Sequence, residues 1–116
     1  MSKKEVEVTP VEEVKKTPNP KKNEYGQYIA EGDIIYFTKL YSAVSGGFIF
    51  DAEDTEEYKS YIETIMVDGK KIKAFKAKVR HIYKAKDGNE NPYEVFAKDG
   101  KNGLGRTRPS DIVEKD

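Results

Sequence analysis

His81 is the only histidine in the 116 residues, and there is no cysteine. Composition therefore excludes a thiolate nucleophile, a disulfide and a Cys/His metal cluster. Alternation along Phe75, Ala77, Val79, His81 and Tyr83 places the imidazole with an apolar strand face. A satisfied core or rim histidine is expected there, not a general base. Ser42, Ser45 and Ser110 have no nucleophile elbow and no base-pairing context; Ser110 with Asp111 reads as capping a terminal turn. Acids crowd residues 51–63. They lack the glycine-centred, Glu-terminated loop of a calcium site, and no buried setting splits their pKa values into acid and base. Gly100, Gly103 and Gly105 fall in a hairpin, so a phosphate cradle is not expected either. The residues predict no enzyme, no metal and no cofactor.

Binding is the remaining chemistry. Tyr36, Tyr41, Phe48, Tyr93 and Phe96 are candidate aromatic platforms at a groove, shared with the needs of the core. Arg106 and Arg108, with Lys98 and Lys101, form a candidate cationic lip for carboxylates or phosphates. Lys76, Lys78, Arg80 and Lys84 share one strand face, which has nucleic-acid character through charge plus stacking. The acidic segment before that strand is expected to neutralise it within the fold. Lys+Arg and Asp+Glu both number 21, so no global field draws in nucleic acid or anionic lipid.

These residues must be positioned by strands. The organising stretch is Asn91 to Ile112. Tyr93, Val95 and Ala97 alternate with Glu94, Phe96 and Lys98, a strand with one face buried. Lys-Asp-Gly-Lys-Asn-Gly reverses the chain, and Leu104 to Thr107 returns. Pro109-Ser110-Asp111-Ile112 reads as one tight turn that drops Ile112 onto the core. Upstream, the Glu31-Gly32-Asp33 turn opens the strand Ile34 to Lys39. Leu40 to Phe50, with Gly46 and Gly47 among aromatics, reads as a loop or sharply bent hairpin at the groove rim. Lys70 to Lys86 is a long strand with one apolar and one cationic face, consistent with a twisted antiparallel barrel.

Two templates compete over residues 54–67. Tyr58, Tyr61, Ile62, Ile65 and Met66 form a helical stripe, with Asp54 and Glu57 as a capping box and Gly69 as the stop. The same residues also suit a strand from Tyr61 to Val67 with an Asp68-Gly69 hairpin turn. The stripe and cap favour the helix. Residues 1–28 read as an extended or disordered arm, broken by Pro10, Pro18 and Pro20, in which Val6 and Val8 suit addition to a sheet edge. Residues 29–116 form the one domain that the length allows. The expected class is mainly β, a small antiparallel barrel with an inserted short helix or hairpin and an N-terminal arm.

Three marks stand in order along residues 31–113: Gly32-Asp33 with its apolar strand; Ala77-Lys78-Val79 with Ile82, then Asn91-Pro92-Tyr93; and Gly105 with Ser110-Asp111-Ile112. Together they resemble the SH3-type cell-wall-binding domains at the C-termini of bacterial and phage peptidoglycan hydrolases. The resemblance implies an SH3-like barrel that binds cell-wall peptide or glycan, or a protein surface, without catalysis. Where that family tends to place an aromatic after the last-strand glycine, this chain has Arg106, and residues 51–71 look like an insertion. Two rival expectations follow from the same residues. One is a phage virion structural protein, a capsid or tail accessory whose arm staples neighbouring subunits. The other is a single-stranded nucleic-acid-binding barrel. MSKKEVEV has no apolar run behind its lysines, and no stretch has the roughly 20 apolar residues that span a bilayer. Synthesis without a secretion signal, and no membrane partner, are expected.

Overall fold

The structure, a computed structural model, describes residues 21–42 and 48–116. Most of the expected arm, with Val6 and Val8, and the Gly46-Gly47 tip of the aromatic loop lie outside the described residues. Eight strands follow in chain order: β1 Ile34–Phe37, β2 Lys39–Ser42, β3 Phe48–Asp51, β4 Ile62–Val67, β5 Lys70–Ile82, β6 Tyr93–Phe96, β7 Gly103–Thr107 and β8 Ile112–Val113. All pairings are antiparallel, in the order β3-β2-β7-β6-β5-β1-β8, with β4 attached to β5. The mainly β class expected from alternation is observed. The sheet curls but does not close, since β3 and β8 end it unpaired with each other. Thr38, at the corner between β1 and β2, brings these two ends near. Its amide donates to the Asp111 carbonyl, and its carbonyl accepts from Ala52. No described helix is long and apolar enough to cross a membrane.

The curl buries one face. Ile35, Phe37, Leu40, Ala52, Phe75, Ala77, Val79, Tyr93 and Val95 form the core, with Phe37 and Phe75 stacked at 5.4 Å between ring centroids. Burying a large apolar side chain contributes about 1.5–3 kcal/mol, so this cluster is the main force holding the strands together. Gly105 lets β7 approach β2. A Cβ there would sit 2.9 Å from Leu40 Cδ1 and 3.1 Å from the Tyr41 carbonyl. Pro109–Asp111 forms the expected 3₁₀ turn, and Ile112 packs on the core. No side chain caps that turn; the Asp111 carboxylate is engaged by Tyr41 instead.

The helix expected over residues 54–67 is absent. A 3₁₀ turn at Lys59–Tyr61 leads into β4, which forms a hairpin with β5 in register Val67↔Lys70. Asp68 and Gly69 both have positive φ, 52° and 80°, as a tight primed turn requires. Of the supposed stripe only Ile65 is fully buried, opposite Ile72, while Met66 is 40% exposed. Strand alternation thus separates two neighbours that a helix would have placed together. Asp51, not Asp54, organises the preceding turn: its carbonyl accepts from the amides of Asp54 and Thr55.

His81 also departs from expectation. The β5–β6 register shifts between Val79 and His81. The bulge turns the imidazole out to solvent, where Nδ1 lies 3.0 Å from the Glu31 carboxylate. Part of the segment assigned to the arm belongs to the folded unit. Tyr25 packs on the core, and Asn23 donates to the hydroxyl of the buried Tyr93 at 2.8 Å.

Candidate ligand-binding groove

β5 is long enough to serve both halves of the curled sheet. On one side it pairs with β1 through residues 75–78. On the other it pairs with β4 up to Phe75 and with β6 from Val79 onward. Neither β4 nor β6 reaches residues 76–78. Val79 turns its amide to Asp33 and its carbonyl to Gly32, on the β1 side. Alternation therefore points the main-chain groups of Lys76 and Lys78 the other way, into the gap.

A groove of about 480 Å³ opens at this gap. Its apolar surface comes from Ile34, Ala77, Phe96 and the ring of Tyr61, and its rim from Lys76, Lys78 and Lys98. The Tyr61 hydroxyl accepts from the Lys98 amide at 3.0 Å. That bond joins the turn before β4 to the turn after β6 and braces the two walls. Lys98 Nζ lies 5.2 Å from the Tyr61 ring centroid, within the range of a cation–π contact. Lys76 pairs with Glu63 at 3.4 Å. The ammonium of Lys78 has no ion-pair or hydrogen-bond partner among the described residues. No carboxylate of the described residues lines the groove. An apolar trough with cationic edges suits a ligand that carries both a hydrocarbon part and a negative charge.

The seven aromatic and arginine candidates separate into four places. Phe96 alone lines the groove. Tyr36, across from Lys76 on the outer face of β1, sits between the ammonium groups of Lys76 and Lys115, 5.9 Å and 5.7 Å from its centroid. Phe48 is on β3 and 65% exposed. Tyr41, Arg106, Arg108 and Tyr93 gather around β7 and are occupied by one another or by the core. The Arg106 guanidinium stacks 4.0 Å from the centroid of Tyr83, and that of Arg108 stacks 4.5 Å from Tyr41. Arg108 also donates to Asn91 at 2.7 Å. Tyr93 is fully buried, and burial raises its pKa most, with the charge of Tyr25 adding to it and the Asn23 hydrogen bond opposing.

Tyr41 is the most constrained of these. It is 7% exposed, and its hydroxyl donates to Asp111 Oδ2 at 2.6 Å. Burial first, then the bond and charge of Asp111, push its pKa up to about 12, against the opposing pull of Arg108. This cluster is a strut that fixes the C-terminal turn, not an open site. Ile34 and Tyr61 complete the groove and were missed by sequence reasoning. The lysine face of β5 was the available signal. Its neutralisation by the acidic segment is only partial, since Glu63 engages Lys76 and leaves Lys78 aside. Among the described residues no group of three or more His, Cys, Asp or Glu side chains could hold a metal.

Comparison with protein-family models, with curated proteins and with solved structures finds no match for this chain.

Proposed function

We propose that the protein is a non-catalytic, SH3-like binding module whose groove holds an extended, carboxylate-bearing peptide, with cell-wall stem peptide as the ligand. The observation that carries this reading is the gap in β5 pairing at residues 76–78. An extended peptide entering the gap can hydrogen-bond the β5 backbone, as in strand addition to a sheet edge. Lys78 and Lys98 then meet its carboxylates, while Phe96 and Ile34 take its apolar side chains. Backbone pairing favours a peptide over a nucleic-acid strand, which has no matching ladder of amides and carbonyls. The wall as the source of the peptide is supported by the order of Gly32-Asp33, Asn91-Pro92-Tyr93 and Ser110-Asp111-Ile112.

The test is co-sedimentation of the full chain with purified peptidoglycan. The protein should pellet, and Lys78→Glu and Phe96→Ala should each weaken binding by about tenfold, or roughly 1.4 kcal/mol. The Lys78 amide should exchange more slowly in the complex. Wild-type protein that stays in the supernatant, or variants that pellet unchanged, would overturn the reading. Binding to oligonucleotides that falls steeply with salt would replace it with the nucleic-acid alternative.

A further inference from the structure

Among the described residues β3, β4 and β8 are the edge strands of the sheet, beside the short gap on β5. Two of the three are limited, β8 by its length and β4 by a bond from Asp116 at one end. β8 is only two residues long. The outer edge of β4 is covered at its end: the Asp116 amide donates to the Met66 carbonyl at 2.8 Å. The Asp116 carboxylate accepts from the amides of Asp68 and Gly69, both at 2.9 Å. β3 has no such protection. Among the described residues it ends the sheet order and pairs only with β2, and it contains neither lysine nor proline. Phe48 and Ile49, at 65% and 56% exposed, stand on opposite faces of β3, so both faces of this edge are apolar and open. Folded proteins normally blunt such an edge.

We propose that β3 is a self-association edge, where two copies of this chain pair strand to strand about a twofold axis. The four residues Phe48-Ile49-Phe50-Asp51 are self-complementary when antiparallel. With Ile49 opposite its own mate, Phe48 lies against Phe50 of the other copy. Such apolar cross-strand pairs are the unit of sheet stabilisation. The two Asp51 carboxylates then sit at opposite ends of the ladder, each already paired with Lys39 at 3.5 Å. A formal net charge of zero means that the copies do not repel. Because both copies use the same β3 edge, the contact is isologous, so the association closes at two copies and does not propagate into a fibre. A four-residue edge buries less than the roughly 1,200–2,000 Å² of a standard stable interface, so the dimer is a weak one. This inference does not depend on the groove.

Sedimentation equilibrium of the full chain, over a concentration series reaching on the order of 1 mM, tests it. The apparent mass should rise from 13.2 kDa towards twice that value. Ile49→Lys should remain monomeric, with a dissociation constant at least about tenfold higher. Phe48→Ser serves as a second edge variant, and circular dichroism checks that both fold. Met66→Lys, on the covered β4 edge, should associate like the wild type. A wild-type chain that stays monomeric throughout overturns the proposal. So does association that survives Ile49→Lys but is lost in a Val6→Lys, Val8→Lys double variant, which would make the arm the occupant. Association lost in Met66→Lys alone would transfer the contact to β4 and equally refute it.

Discussion

Tyr41→Phe separates the two roles that an aromatic residue beside a groove can have. The substitution removes one hydroxyl and leaves the packing volume. In the folded chain that hydroxyl donates to Asp111 Oδ2 at 2.6 Å, and Arg108 covers the ring. A hydrogen bond to a charged acceptor contributes about 1.5–3 kcal/mol. Asp111 is half-exposed and can take water instead, so the low end applies, about 1.5 kcal/mol lost at pH 8. The pH dependence has the opposite sign. The folded-state pKa of Tyr41 is raised from 10.0 to about 12, so the folded chain holds this proton more tightly than the unfolded one. That contribution is complete below pH 10 and is lost as pH climbs through 10 to about 12. A displacement from 10.0 to about 12 corresponds to roughly 2.7 kcal/mol of wild-type stability lost across the window. Phenylalanine has no proton to lose. The stability curves of wild type and Tyr41→Phe should therefore converge above pH 10 and cross before about pH 12. Urea unfolding followed by circular dichroism at a series of pH values reads this directly. Equal stabilities at pH 8 together with parallel alkaline limbs would refute the assignment of Tyr41 as a strut. Lost peptidoglycan binding in a fully folded Tyr41→Phe would return the residue to the ligand site.

Two further outcomes follow from local geometry. Gly105→Ala places a methyl 2.9 Å from Leu40 Cδ1 and 3.1 Å from the Tyr41 carbonyl, and Leu40 is fully buried. Overpacking of this kind costs about 1–3 kcal/mol. Gly103→Ala meets only the Glu94 carboxylate, at 2.6 Å. The bonds of that carboxylate to Tyr83 and Arg80 can shift with the side chain, whereas the Tyr41 backbone and the buried Leu40 cannot, so thermal melts should rank Gly105→Ala as the more damaging. Backbone amides hold two exposed carboxylates below their usual range: those of Gly69 and then Asp68 for Asp116, and those of Lys101 and then Asn102 for Asp99. Depressed folded values mean that this stabilisation is present above the ordinary carboxylate pKa of about 4 and fades as pH falls through the folded values. Asp116→Asn should speed hydrogen exchange at the Asp68 and Gly69 amides at neutral pH, and acidification should bring the wild type towards the same rates.

Alternation made most of the fold legible. Phe75, Ala77, Val79, Tyr93 and Val95 announce their faces by type, and all five are in the core. Residues 54–67 misled because i, i+3 and i+4 spacing also arises by chance in a strand that follows a 3₁₀ turn. The deciding signal was Asp68-Gly69: a helix stop needs positive φ at the glycine alone, whereas both residues have it here, as a two-residue hairpin turn requires. His81 misled because a bulge adds one residue and inverts the alternation beyond it, and nothing in its own neighbourhood announces that bulge. The groove was legible in part. Lysines on one face of β5 are visible in the sequence. That Tyr61 and Lys98, 37 positions apart, would brace each other depends on where β4 begins and β6 ends.

Those endpoints decide what kind of surface this chain offers. If β4 began earlier than Ile62, or β6 kept pairing with β5 beyond Val95, the β5 edge would be fully paired and Lys76 and Lys78 would only decorate a solvated face. Their separation exposes a short length of backbone beside an apolar trough. Tyr61 and Gly100 line that trough from the two flanking turns. Gly100 has φ 72°, a conformation that glycine adopts at little cost, so the turn after β6 can stay tight beside the gap. The groove is thus a consequence of strand lengths more than of any one side chain. Single substitutions at its rim should change affinity without unfolding the protein, whereas the Tyr41–Asp111 strut should do the reverse.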